Sequence, residues 1–260
     1  MSHIPPSALA SPAAAVRLPS IADQVFEGLY DRIVNLALPP GTRLSETEVA
    51  KAFDVSRQPV RDAFWRLSKL GFLTIRPQRA TTVAGISEAA VLQARFVRAA
   101  IEVETVRVAA GCLDPDDLAA LTALIGAQEA AVAAADKPRF HALDDAFHRE
   151  ICVRSGLGFA WGIVRENKAH MDRVRFLSLA FGVDIALAEH QAILAALAAR
   201  DSEGAAAAMR VHLDRITIDL PRLRASHAGY FDDGPGGPAL MPGLTGLGLP
   251  GPPEPSGQKE

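Results

Sequence analysis

Residues 44–70 contain two short helical patterns separated by a tight break, and this arrangement restricts the fold more than any other part of the chain. In the first pattern, apolar residues recur after Ser45, which we expect to cap the helix with Glu48 as its capping-box partner. In the second, they recur at helical spacing after Ser56, and Gly71 ends the pattern. Two short helices joined in this way predict a helix-turn-helix, whose second helix enters the major groove of DNA.

Two arginines of the second helix are candidates for contacts with DNA. Arg57 and Arg61 are one turn apart near its start, on the side away from the apolar stripe. Guanidinium groups in that position suit phosphates and guanine edges. A solvated charged face is the simpler interpretation of one such pair, so the flanking sequence has to decide between the two.

Four flanking stretches favour contacts with DNA over a solvated charged face. Residues 38–46 read LPPGTRLSE, residues 55–63 read VSRQPVRDA, and the shorter stretches 24–26 and 67–71 lie on either side. Together they resemble the winged helix-turn-helix of the GntR family of bacterial transcription regulators. Thr47 departs from that pattern, because many members have Arg there. The resemblance implies that Arg43, Ser56, Arg57, Gln58 and Arg61 contact DNA.

A small wing is expected next in the chain. Residues 72–75 and 81–83 are short β-prone runs that predict a hairpin. Arg76 and Arg79 between them are candidates for contacts with the backbone or the minor groove of DNA. Ala80 stands where the wing of the family usually has Gly, and Ala tolerates positive φ poorly. We therefore expect a less tight wing turn than in most members.

Composition indicates the size of the fold, the charge of its surface and the compartment of the protein. With 260 residues, 49% of them hydrophobic, it can form one large domain or two modest ones, and a net charge of -3 excludes a uniformly basic surface. Cys112 and Cys152 are the only cysteines, which favours a reducing compartment. No stretch reaches the ~18 apolar residues that a membrane span requires, and residues 1–19 lack the features of a signal peptide. We therefore expect a cytoplasmic protein without membrane contact.

The sequence patterns divide the chain into four parts. Residues 1–19 and 227–260 are rich in Pro with Ala, Ser or Gly, and they predict a disordered arm and tail. Residues 20–84 hold the winged helix-turn-helix. Residues 85–226 predict an all-helical bundle of about six helices, because Pro and Gly breaks separate the helical patterns. The predicted fold is therefore mainly α with a small β wing, and the expected bundle helices are 87–111, 114–134, 137–155, 157–181, 183–200 and 202–225.

Three histidines of the predicted bundle, His148, His190 and His212, lie on apolar helix faces. A lone histidine in such a place is most often a satisfied core residue. Asp144, one turn before His148, projects to the same side, and a buried carboxylate needs a partner. A divalent cation would satisfy all four groups, and this ligand set suits Zn²⁺, Ni²⁺, Mn²⁺ or Fe²⁺. Asp145 is an alternative to Asp144, because it also shares a face with His148.

The bundle also carries a family resemblance. RAAIE at 98–102, Asp144 with FH at 147–148, EH at 189–190 and HL at 212–213 are similar to the FCD domain, the helical ligand-binding domain of the FadR-type branch of the GntR family. In metal-binding members this pattern supplies one Asp and three His ligands. The resemblance thus implies Asp144, His148, His190 and His212 as the ligands here.

An effector site is implied by the same resemblance. In this family the open positions on the metal face the effector, commonly a small carboxylate or a sugar acid. Arg98 is the first candidate for a second anchor, with an intrahelical ion pair to Glu102 as the alternative interpretation. His170, Arg173 and Arg175 are further candidates, although helical periodicity does not separate cavity from surface there.

These features predict a metabolite-responsive transcription regulator, in the simplest case a repressor that binds an inverted-repeat operator as a homodimer. It would have no catalytic residues. A metalloenzyme is the second hypothesis, because such a metal site can also activate water, yet Asp145 and His141 are the only nearby candidates for a general base. The third hypothesis is a constitutive DNA-binding protein with a purely structural metal.

Overall fold

The computed structural model describes residues 19–76, 79–179 and 182–232. The chain forms two compact units, Met1–Ala84 and Gly85–Glu260. The parts of the expected arm and tail at 1–18 and 233–260 lie outside the described residues.

The first unit is a winged helix-turn-helix. Its strands form one antiparallel sheet in the order β1-β3-β2, with Arg43 opposite Thr82 and Leu73 opposite Val83. The predicted wing strands are confirmed as β2 and β3, whereas β1 was missed, because two residues are too few for an alternating pattern. The elements are α1 (Ile21–Val34), β1 (Arg43–Leu44), α2 (Glu46–Ala52), α3 (Arg57–Lys69), β2 (Leu73–Thr74) and β3 (Thr81–Val83).

An apolar core orients α3 in this unit. Val25, Leu29 and Ile33 of α1 are buried, as are Val60 and Leu67 of α3. The break between α2 and α3 contains Asp54 at a φ of 53°, and a short polar side chain is among the few that tolerate this left-handed region. The opposite face of α3 is consequently left to solvent.

The N-cap residues of α1 and α2 differ in the hydrogen bonds that they make. Ser20 forms a complete capping box with Asp23: its Oγ accepts from the Asp23 amide at 3.1 Å, and the Asp23 carboxylate accepts from the Ser20 amide at 3.0 Å. Ser45 occupies the N-cap position of α2 but makes no side-chain cap bond. The capping box expected between Ser45 and Glu48 was therefore wrong.

The second unit is an all-helical bundle, as predicted. Its six long helices coincide with the predicted ones to within a few residues, with Pro115 in the first turn of α5 and Pro138 in that of α6. In this bundle α4 packs against α7 and α9, α8 packs against α9, and α5 packs against α6. The helices are α4 (Glu88–Cys112), α5 (Pro115–Ala133), α6 (Lys137–Arg154), α7 (Gly158–Ser178), α8 (Val183–Ala198) and α9 (Ser202–Ser226).

The bundle extends past the predicted start of the tail at residue 227. Residues 228–230 form a 3-10 helix, and Phe231 is buried. Sequence patterns did not reveal this segment, because one aromatic side chain among polar and small residues gives no periodicity. Nowhere in the described ranges is a helix both long enough and apolar enough to cross a membrane.

We expect Ser20→Ala to destabilise the first turn of α1 by about 1 kcal/mol, because it removes the acceptor for the Asp23 amide. Ser45→Ala is the matched control: it changes the same residue type at the same cap position, but no side-chain bond is lost. Native-state hydrogen exchange of the amides at the starts of α1 and α2 measures both effects. Equal losses of protection in the two variants would contradict this capping assignment.

Candidate metal centre and nucleic-acid interface

Four side chains from three helices meet in the interior of the bundle. Asp144 and His148 project from α6, His190 from α8 and His212 from α9, and all four are buried. One ligand atom of each lies within 4.8 Å of the others. The fold thus brings together the four residues that the sequence indicates as metal ligands.

The three histidines turn the same ring nitrogen toward one another. Nε2 of His212 lies 3.2 Å from Nε2 of His148 and 3.4 Å from Nε2 of His190. Nε2 of His190 is also 3.0 Å from Oδ1 of Asp144. Convergence of several ring nitrogens and a carboxylate oxygen is typical of residues that share one ion.

An acceptor behind each imidazole accounts for this orientation. When the acceptor binds the proton on Nδ1, the lone pair on Nε2 is left facing the centre. Three lone pairs at these distances repel one another unless a cation lies between them. Nδ1 of His190 is hydrogen-bonded to Oε1 of Gln128 at 2.8 Å and Nδ1 of His212 to Oε2 of Glu189 at 3.1 Å. Nδ1 of His148 lies 2.5 Å from Oε2 of Glu102 in an ion-pair contact that lacks hydrogen-bond geometry.

Burial and neighbouring charges favour the metal-binding protonation states of His190, His212 and Asp144. Burial lowers the pKa of His190, and burial with the adjacent imidazoles holds the pKa of His212 well below its usual range. Burial alone would raise the pKa of Asp144, but the Arg175 guanidinium and the His190 hydrogen bond hold it well below its ordinary value. Neutral imidazoles and an ionised carboxylate are the forms that coordinate a cation.

These residues therefore fit a divalent cation. Three imidazole nitrogens and one carboxylate oxygen suit Zn²⁺, Ni²⁺, Mn²⁺ or Fe²⁺, and a cation held there would be a Lewis acid for an anionic ligand. Asp145 is outside the four-residue cluster, and its carboxylate accepts from Nζ of Lys168 at 2.8 Å. Cys152 is also outside it, and burial raises the pKa of its thiol to about 12.

Arg98 lies behind the histidines and does not line the cavity beside them. Its Nε donates to Oε1 of Glu102 at 2.6 Å, and both side chains are buried. Burial would raise the pKa of Glu102, but Arg98 and His148 together lower it. The structure thus shows the alternative interpretation of Arg98, an ion pair within α4 beside His148, and its contact with an effector stays a prediction.

A cavity of ≈ 40 Å³ opens beside the cluster. Its wall includes the carboxylate of Asp144, the imidazole of His212, and two arginines, Arg175 of α7 and Arg215 of α9. At roughly 10–15 Å³ for each water, this space holds about three waters. The apolar part of the wall includes Phe140, Met171, Leu179 and Ile216.

The other predicted effector residues divide into two groups. Arg175 lines the cavity, where its guanidinium pairs with Asp144. Arg173 and His170 do not line it, and Nη1 of Arg173 donates to the carbonyl of Gly85 at 3.2 Å. Helical periodicity could not show which of these residues face the cavity, because α7 is buried on more than one side.

Sequence reasoning missed one cationic group of the cavity and one of the supporting acceptors. Arg215 lines the cavity, and its Nε donates to Oε1 of Glu189 at 2.9 Å. It follows His212 by three residues, so helical spacing could have indicated it. Gln128 could also have been found from the sequence, because it is a polar residue on the apolar face of α5 beside Leu121 and Ile125.

The exposed face of α3 carries the predicted contacts with DNA. Arg57 and Arg61 are more than half exposed, and both pair with Glu46 of α2, at 2.8 Å and 3.1 Å from its Oε2. The Arg57 hydrogen bond, together with that of Arg61, lowers the pKa of Glu46. One carboxylate therefore holds the two guanidinium groups together at the start of α3.

The rest of this surface is polar, with one aromatic exception. Gln58 donates to Asp62 at 3.0 Å, and the Trp65 side chain is 60% exposed. Trp65 continues the face of Arg57 and Arg61 along α3, although sequence reasoning did not single it out. The other predicted contacts, Arg43, Ser56, Arg76 and Arg79, are all exposed.

Comparison with known proteins identifies the family. The model for bacterial regulatory proteins of the gntR family matches residues 21–83, and the FCD domain model matches residues 93–215. The HTH-type transcriptional repressor RspR of Escherichia coli K12 is 34% identical over 215 residues, which cover 82% of this chain and 94% of that protein. The chain belongs to the GntR family.

Other similar proteins support the assignment to the GntR family. An HTH-type transcriptional regulator in an unstable DNA locus of Streptomyces ambofaciens is 34% identical, over 80% of this chain and 88% of that protein. The structure of McbR/YncC from E. coli has the same fold, with a TM-score of 0.68 and 24% identity over 79% of this chain and 99% of that one. The protein is therefore a DNA-binding transcription regulator and not an enzyme, and the metalloenzyme hypothesis was wrong.

We expect Gln128→Met to weaken Zn²⁺ binding roughly 10–100-fold, because it keeps the volume of the side chain but removes the acceptor that orients His190. Competition with a chromophoric chelator measures the affinity. Gln191→Met is the matched control, since Gln191 adjoins His190 in sequence but is exposed and donates to Glu129. A Gln128→Met affinity equal to that of the control would contradict the supporting role.

Proposed function

We propose that this GntR-family regulator is a repressor whose affinity for its operator falls when a small carboxylate binds beside a divalent metal ion. Asp144, His148, His190 and His212 hold the ion in this proposal. It rests on one observation above all: three buried imidazoles turn Nε2 toward a single point that borders a cavity containing arginines. Repression is favoured by the similarity to RspR, which is named a repressor.

The cavity favours an anionic effector of small size. Arg175 and Arg215 bring two positive charges to its wall, and their guanidinium groups suit a carboxylate. Both are already paired, with Asp144 and Glu189, so an acid competes with carboxylates of the chain for them. Space for about three waters favours a short carboxylate over a sugar acid, which needs the walls to move apart.

The DNA contacts are proposed for the exposed surface of the first unit. Arg57 and Arg61 would enter the major groove with the start of α3, while the wing approaches the backbone or the minor groove. Glu46 keeps their guanidinium groups in place before DNA is bound. The proposed contacts are Arg43, Ser56, Arg57, Gln58, Arg61, Arg76 and Arg79.

We expect Arg57→Ala and Arg61→Ala each to weaken operator binding by roughly 1–3 kcal/mol, because each loses a contact with a base edge or a phosphate. The operator is selected from a random-sequence pool with the wild-type protein, and affinity is measured at fixed salt. Arg149→Ala is the control, since Arg149 is similarly exposed, at 52%, but lies on α6. Affinities of Arg57→Ala and Arg61→Ala within twofold of that control would exclude them as contacts.

A homodimer is proposed for an inverted-repeat operator, with α4 and α9 as the contact surface. Phe96, Val211 and Ile218 expose large apolar side chains on these two neighbouring helices. A groove of ≈ 430 Å³ lies on the same surface, and Phe96, Ala99 and Ala100 are in its lining. One surface thus offers both exposed apolar side chains and a recess, as an isologous interface requires. The groove also carries both charge signs, on Glu104 and Arg210.

Val211→Glu is expected to convert the dimer to monomer, because the valine is 58% exposed and the new charge would be buried only in the dimer. Sedimentation velocity measures the oligomeric state. Val153→Glu, at a valine that is 51% exposed on α6, is expected to remain dimeric. Dimers of equal stability in both variants would show that Val211 is not at the dimer interface.

A thermal-shift experiment tests the effector site. An acid at about a hundred times its dissociation constant should stabilise the metal-loaded protein by roughly 2.7 kcal/mol. We expect Arg175→Met to lose this shift and Arg165→Met, on an exposed position of α7, to keep it. A shift that survives Arg175→Met would remove Arg175 from the site. If chelation lowers the melting temperature while no acid raises it, the metal is structural.

A further inference from the structure

The segment that follows α9 is bound to the residues that follow the winged unit. Ile86 donates its amide to the carbonyl of Tyr230 at 2.8 Å, and its own carbonyl accepts from the amide of Asp232 at 3.0 Å. Ile86 and Phe231 form a parallel β-bridge, and both side chains are buried. We call residues 228–232 the clasp, because they bind Ile86 through both of its backbone groups.

Gly85 is held equally closely. A Cβ added there would lie 2.8 Å from Cβ and 2.9 Å from the backbone nitrogen of Asp232, so the clasp can approach only a glycine. On the Gly85 carbonyl, Nη1 of Arg173 donates a hydrogen bond of 3.2 Å. Burial lowers the pKa of Arg173 to about 10, which still leaves it charged near neutral pH. A charged donor and the clasp thus fix the first two residues after Ala84.

The clasp shares an apolar cluster with the cavity wall. Ile86 and Phe231 pack in the same buried cluster as Met171 and Ile216. Met171 and Ile216 also line the cavity beside the histidines. Packed interiors have few voids, so a displacement of one wall residue is passed to its neighbours. A ligand in the cavity can therefore change how firmly Ile86 is held.

We propose that the clasp is the coupling element of this regulator. A ligand in the cavity changes, through the clasp, how firmly Gly85 and Ile86 are held. These two residues begin the connection from the bundle back to the DNA-binding unit. This inference rests on the proposed function, because it assumes that a ligand in the cavity alters DNA affinity. The two states are a closed clasp, with Ile86 paired to Tyr230 and Asp232, and an open clasp without those bonds. A ligand that favours one state shifts the population of both.

Phe231→Ala tests the coupling in the full chain, because it removes the buried anchor of the clasp but no residue that lines the cavity. Gly85→Ala is the second variant, since its Cβ pushes Asp232 away without altering the apolar cluster. Phe159→Ala is the control, at a phenylalanine of α7 that is 72% exposed. The probes are Zn²⁺ alone and Zn²⁺ with acetate, and the readouts are Zn²⁺ affinity, hydrogen exchange of the Ile86 amide and operator affinity at fixed salt.

In the wild type and in Phe159→Ala, Zn²⁺ with acetate is expected to change operator affinity roughly 5–150-fold and to change exchange at Ile86. In Phe231→Ala and Gly85→Ala, Zn²⁺ affinity should stay within threefold of wild type, while the change in operator affinity falls below twofold. Variants that bind Zn²⁺ and keep the wild-type ratio of operator affinities would overturn the proposal.

The two proposals can fail separately. If Zn²⁺ and acetate do not change the operator affinity of the wild type, the proposed effector control fails. Hydrogen exchange of the Ile86 amide then tests the clasp by itself. Protection that changes with Zn²⁺ in the wild type but not in Phe231→Ala supports the clasp. Protection that is the same with and without Zn²⁺ overturns it.

Discussion

The convergence of three buried imidazole nitrogens is the constraint on which the rest of the bundle depends. Each ring is turned by an acceptor from a helix: Glu102 on α4, Gln128 on α5 and Glu189 on α8. Buried lone pairs that face one another are unfavourable without a cation, and buried acceptors are unfavourable without the imidazole protons. Five of the six helices thus contribute a ligand or an acceptor to one centre, and a change at any of them disturbs the others.

The contacts of the arginines around this centre separate structural arginines from those that face the cavity. Arg98 is buried against Glu102 and serves His148. Arg173 is buried against the Gly85 carbonyl and serves the clasp. Arg175 instead faces the cavity, where an anion can compete for it with Asp144. On α7, the arginine that donates to Gly85 and the arginine that faces the cavity are thus only two residues apart. This proximity is the physical reason to expect that they act on one another.

The fold and the cluster of one Asp and three His could be predicted from the sequence, but the surroundings of the cluster could not. Helix boundaries were predictable because Pro115, Pro138 and the turn at Asp54 are local signals, and local signals do not need tertiary contacts. The identification of Asp144 over Asp145 needed the family resemblance, since both share a face with His148. The position of Arg173 and the clasp could not be predicted, because each depends on which helix faces which. Such pairings join residues far apart in the chain, as in the bond between Arg173 and Gly85.

The proposed metal centre is tested most directly by X-ray absorption at the edge of the metal that is purified with the protein. We predict about one divalent ion for each chain, with imidazole scattering from three histidines and, for zinc, nitrogen and oxygen ligands at about 2.0–2.2 Å. The spectrum should lack sulfur at about 2.3 Å, because Cys152 is not a ligand. A protein that contains no stoichiometric ion and takes none up, or an ion whose spectrum shows no imidazole, would contradict the account.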